Sequence, residues 1–182
     1  MLTKAAKQLL QTVPIYSGLN NTNTAKPMFP NDRIKNTANQ ERWISFLQGN
    51  LMSSTNIVFN ANAGFVFGTG STAPTENDYI LESQITSGIT GVLTNTVRGI
   101  DTNNKPYIEF TFTVTNTGSS SISITEIGYV TGNAYCCTSS TATSAANNNV
   151  LIDRTLLDGA VTIAAGNSAA IKYRLTSDMT FQ

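Results

Sequence analysis

The stretch YIEFTFTVT, Tyr107 to Thr115, decides how this chain folds. Ile108, Phe110, Phe112 and Val114 take alternate positions, with Glu109, Thr111, Thr113 and Thr115 between them. In an extended strand that order gives one dry face and one wet face, whereas a helix would scatter the same side chains around its axis. Asn116-Thr117-Gly118-Ser119 then reads as a turn. Beyond it Ile122 and Ile124 resume the two-residue period, as do Val161 and Ile163, and later Ala169, Ile171, Tyr173 and Leu175. The apolar members of these runs are expected to face one common core.

Working outward, further strands are expected over residues 57–60, 64–67, 79–85, 91–99, 121–129, 150–156, 160–163 and 169–176. Many short strands at this spacing predict an all-β fold, an antiparallel, jelly-roll-like β-sandwich. Between Ile124 and Ile127 the alternation slips by one residue, which predicts a β-bulge at Glu126. Ala165-Gly166-Asn167 reads as a hairpin tip. Residues 136–149 are poor in apolar side chains and are expected to form a long exposed loop.

The first third follows a different pattern. Leu2, Ala5, Ala6, Leu9, Leu10 and Val13 fall at helical spacing until Pro14, so a short amphipathic helix is expected. Residues 17–39, rich in Asn, Thr and Pro, read as an extended arm, and Trp43, Phe46 and Leu47 fit one or two more helical turns before Gly49-Asn50. The sheet region is expected to begin near Asn56. The chain therefore divides into residues 1–55, an attachment or oligomerisation segment, and residues 56–182, the sandwich. So short a helix is marginal alone. It is expected to dock on a partner through Leu2, Leu9, Leu10, Val13, Trp43 and Phe46, so that removing residues 1–39 would leave a folded sandwich unable to attach.

Composition narrows the function. The 182 residues carry a net charge of +0 with 12% charged side chains, so the electrostatic term behind nucleic-acid binding has little to act on. No apolar run is long enough for a membrane span, and Gln8, Gln11 and Thr12 interrupt any signal-peptide core. Ser, Thr and Asn make about a third of the chain, an uncharged hydrogen-bonding surface suited to close protein packing. A homo-oligomer is expected, a trimer ahead of a dimer, because spare strand edges are readily covered by further copies.

The chemistry of catalysis is missing. There is no His, which removes the usual general base and the commonest metal ligand. Cys136 and Cys137 are adjacent, and neighbouring α-carbons lie about 3.8 Å apart, below the disulfide range of roughly 4.4–6.8 Å, so free thiols are expected. Gly68-x-Gly70-x-x-Ala73 follows an apolar run, yet Pro74 and no long helix come after it, so it reads as a tight turn rather than a dinucleotide site. Asp101 to Pro106 starts like a calcium loop but has Lys105 and Pro106 where a ligand and a glycine are needed. The acid pairs Glu76/Asp78 and Glu109/Glu126 have no spacing that demands sugar hydrolysis. No catalytic, cofactor-binding or metal-binding residues are assigned, and an enzyme is not expected.

Three segments in order, Gly68 to Ser83, Phe110 to Val130 and Leu151 to Thr176, resemble a β-sandwich domain of tailed-bacteriophage structural proteins. The features that carry the resemblance are a Gly-rich turn with a Pro-Thr loop, a hairpin ending in Glu126-Ile127-Gly128, the Arg154-Thr155 step and a closing hairpin. The resemblance covers roughly the last two thirds of the chain. It implies a non-enzymatic virion component assembled in the host cytoplasm, a head decoration or head-fibre protein, with tail, neck or baseplate as the alternative. Its partners would be the major capsid protein or tail and neck proteins. A third reading, a carbohydrate-binding adhesion module, would need Tyr79, Tyr107, Tyr129 and Tyr135 to form an exposed patch.

Overall fold

The computed structural model describes residues 2–12, 31–47, 63–139, 141 and 146–176. Within them the chain is an all-β, antiparallel, sandwich-like fold with an N-terminal helix, α1 (Lys4–Thr12). The strands are β1 (Ile34–Lys35), β2 (Glu41–Leu47), β3 (Gly64–Gly68), β4 (Ile89–Ile100), β5 (Pro106–Asn116), β6 (Ile122–Cys137), β7 (Ala146–Ile163) and β8 (Ser168–Thr176). One sheet runs β1-β2-β6-β3 with β7 on the other side of β6, and the other runs β4-β5-β8.

The alternation of β5 sets the packing. Phe110, Phe112 and Val114 are buried while the residues between them are half-exposed, and β8 presents Ile171 and Tyr173 to the same side. Facing them from the large sheet, the Phe65 ring lies 4.6 Å from Phe112, 5.0 Å from Phe110 and 5.7 Å from Tyr173 between centroids. Tilted and edge-on contacts of this kind add to what ring burial alone contributes. Ile122 and Val161, expected inside, pack partly buried against this core. On the opposite face of the large sheet Val66, Val130 and Leu151 form a smaller cluster, covered by Leu81 of the strap between β3 and β4.

Several expectations shift. Two strands precede Asn56, and Trp43, Phe46 and Leu47 lie on β2, paired with the end of β6, rather than on a helix. Ile44 on the same strand has no exposure, so β2 carries apolar residues on both faces, and its spacing mimics a helical turn. The arm is not without a core either, since Ile34 and Asn36 are buried. Residues 79–85 form turns with a single bridge from Gln84 to Gly68 instead of a strand.

Residues 150–156 and 160–163 are one strand, β7, in which Asp158, Gly159 and Ala160 protrude and Gly159 takes φ +93°. The loop expected over 136–149 is shorter: Cys136 and Cys137 end β6 and residues 146–149 open β7. The bulge at Glu126 is present, as a register shift between Ile124 and Glu126. The strand expected at 57–60 lies outside the described residues.

Candidate interaction surfaces

Arg154 on β7 faces the strap, 4% exposed at its side chain, with Gly128 as its cross-strand partner on β6. A Cβ at Gly128 would stand 2.9 Å from Leu81 Cδ2 and 2.9 Å from the Asp153 carbonyl, so glycine is what lets the strap lie this close. Arg154 donates from Nε to Glu126 Oε2 at 2.7 Å, from Nη1 to Asp78 Oδ2 at 2.9 Å, and from Nη2 to the Thr72 carbonyl at 3.2 Å and Glu82 Oε2 at 3.3 Å. The bulge turns Glu126 into this site. Its carboxylate also accepts from the backbone amides of Gly70, Glu82 and Ser83, while Glu82 accepts from those of Ser71 and Thr72.

Three carboxylates thus converge on one guanidinium. Burial pushes the Asp78 carboxyl up, but hydrogen bonds from Thr75 and Arg154 outweigh it and hold the group below its ordinary range. Hydrogen bonds from Thr72 do the same for Glu82. Burial lowers Arg154, yet Asp78 and Glu126 raise it overall. With donors and acceptors matched this way, the cluster works as a clamp that fastens residues 69–84 to the sheet.

A second buried polar group joins the two sheets. Asp153 on β7 is 3% exposed and accepts from the Tyr173 hydroxyl on β8 and from Thr155 Oγ1, both at 2.7 Å. Burial, and then the Asp153 charge, push the Tyr173 phenol well above its usual value. Cys136 and Cys137 are buried and not joined in a disulfide, and burial followed by the neighbouring thiol pushes Cys136 up to about 12, far from a nucleophilic thiolate.

Helix α1 packs on the chain's own strands β1, β2 and β7. Thr3 is its N-cap, with Oγ1 accepting from the Ala6 amide, while the Thr3 amide donates to the Ile152 carbonyl. Ala5 and Ala6 are buried below it. Two grooves, of about 330 and 460 Å³, flank the helix. Around them Lys7 pairs with Glu76, Arg33 with Glu41, Lys4 with Asp32 and Arg174 with Glu109, so each of these cations has a carboxylate neighbour.

Of the six residues expected to bind a partner, Leu2 and Trp43 have described side chains. Leu2 packs partly buried against the chain's own core and bridges to Asp153. Trp43 is half-buried on β2, opposite Cys137. Phe46 pairs through its backbone with Tyr135, and its side chain, with those of Leu9 and Leu10 and the whole of Val13, lies outside the described residues.

Of the four tyrosines that a glycan patch requires, three have described side chains. Tyr129 has no exposure, Tyr79 lies under Lys35 and Tyr107 under Arg174, and the Tyr135 side chain is outside the described residues. Asp101 closes its own turn, accepting from the amides of Asn103 and Lys105.

The exposed surface that stands apart is the outer face of β4-β5-β8. Register places Thr90, Thr115 and Ser168 side by side across it, and likewise Val92, Thr113 and Ala170. Val92 is 63% exposed and Val97 40%. The long alternation of β5 revealed this face in the sequence. The Arg154 clamp went unseen there because its members are far apart in the chain, Thr72 and Arg154 by 82 positions, and only the slip at Glu126, an acid falling where the core period breaks, marked it. Comparison of the chain with protein-family models, with curated proteins and with solved structures finds no match.

Proposed function

We propose that this chain is a non-enzymatic structural component of a tailed-bacteriophage virion, a head decoration or head-fibre protein, whose partners are the major capsid protein and further copies of itself. The observation that carries this reading is the division of labour between buried and exposed groups. The buried ionisable side chains Glu126, Asp153 and Arg154 are engaged in fastening the strap and joining the sheets, while on the outer face of β4-β5-β8 threonine, serine and valine side chains lie beside a cluster in which Glu109 pairs with Arg174 and Lys172. Such a surface offers shape, hydroxyl groups and charges already paired with one another to a packing partner. The three-segment likeness to phage sandwich domains gives the class. Its elements are the strap turn, the β6 hairpin with its Glu126 bulge, the Arg154-Thr155 step and the closing hairpin, and the first three supply the clamp.

Co-sedimentation tests it. An epitope-tagged chain expressed during infection should run with infectious particles on a density gradient and stay with them after washing in high salt. A chain found only in the soluble fraction would remove the proposal.

A further inference from the structure

Strand β4 ends its sheet: among the described residues β5 is its one strand neighbour, which leaves a twelve-residue edge of backbone donors and acceptors. Its protection as an edge is limited to one bulge and one charge. No Pro or Lys lies in it, its one charge is Arg98, and Val92, Val97 and Ile100 are 63%, 40% and 56% exposed. Pairing with β5 assigns the faces. Ile89, Gly91, Leu93, Thr96, Arg98 and Ile100 oppose the core-side set of β5, while Thr90, Val92, Asn95, Val97 and Gly99 oppose its outer set.

The change of parity in the middle comes from a register shift between Leu93 and Asn95, where Thr94 donates from Oγ1 to the Thr111 carbonyl. That single extra residue gives the strand a facing order that reads the same in both directions about the Thr94–Asn95 bond. Directly opposed residues of an antiparallel pair must share a face, so a regular strand cannot oppose positions of unlike parity. This one can.

We infer that β4 is a two-fold interface, in which the edges of two copies of this chain pair antiparallel about Thr94 and Asn95 and join two three-stranded sheets into one. In that register Val92 lies opposite the partner's Val97 and Val97 opposite the partner's Val92, both pairs on the outer face. Leu93 meets the partner's Thr96 on the core side, and Arg98 falls opposite the partner's Gly91, so no like charges meet. The occupant is a second copy because the strand's own order of faces, apolar residues and charge complements itself under the two-fold. An isologous contact closes as a dimer, where the sequence led us to expect a trimer. The inference stands apart from the virion reading, since it concerns the purified chain alone.

Sedimentation velocity on the full chain over micromolar concentrations tests it, with circular dichroism to verify the fold of each variant. The wild-type chain should be dimeric. V92K/V97K, which sets lysine against lysine in both outer pairs, should weaken association by on the order of tenfold or more, and V92E/V97K, which sets glutamate against lysine in the same pairs, should restore it. A wild-type monomer throughout, with the bulge acting only to blunt the edge, would overturn the inference. So would an unweakened V92K/V97K dimer, or a folded V92E/V97K that fails to associate.

Discussion

Glu126 shows how much a single residue settles here. It sits where the β6 alternation slips, has no exposure, and accepts from Arg154 and three strap amides. Replacing Glu126 with Ala leaves Arg154 short of a buried partner and those amides without an acceptor, so urea denaturation at neutral pH should register a loss of about 3–5 kcal/mol. Limited proteolysis should then cut between Thr69 and Gln84 first. Asp78 adds a pH dependence. Its folded carboxyl titrates below its ordinary value of 3.8, so the unfolded chain binds the proton first on acidification. Its stabilising share is therefore complete above the unfolded value and is lost as pH falls through the folded one. Asp78→Asn should flatten the acid limb of stability measured below about pH 4, and an unchanged limb would exclude Asp78 as its source. In the main core, Phe112→Ala removes a ring with no exposure that meets Phe65 edge-on and should cost about 3–5 kcal/mol.

At the scale of elements, α1 belongs to the fold it was expected only to tether. Thr3→Val keeps the shape but removes the hydroxyl that caps the helix, and thermal denaturation should show a loss of about 1 kcal/mol. Deleting residues 1–39 should lower the denaturation midpoint further, because it uncovers the faces of β2 and β7 on which the helix packs. Strands with one wet face were legible in the sequence. Tyr107 to Thr115 declared itself because threonine and phenylalanine alternate without a break, and β8 did so for the same reason. Elements covered on both sides were not: in β2, Ile44 is buried and Trp43 half-buried on opposite faces, so no period of two survives. The strap was misread for another cause. Leu81 and Ile85 are both buried, but they are held by hydrogen bonds to Glu126 and by a single bridge, neither of which leaves a periodic trace.

For the whole molecule, composition was a partial guide. Low charge and abundant threonine led to the expectation of a packing surface; the outer face of β4-β5-β8 is rich in threonine but also carries Glu109, Lys172 and Arg174. The clamp could not be read in advance because it is a long-range product of topology: Asp78 and Glu82 come from the strap, Glu126 from β6 and Arg154 from β7. Among the described residues, the buried charges Glu126, Asp153 and Arg154 are thus paired within the chain. Absolute quantification of this chain and of the major capsid protein, in gradient-purified particles, tests the proposed role most directly. A decoration or head-fibre protein should be present at a stoichiometry on the scale of the capsid lattice. A handful of copies per particle would move it to the tail, neck or baseplate, and none at all would contradict a place in the virion.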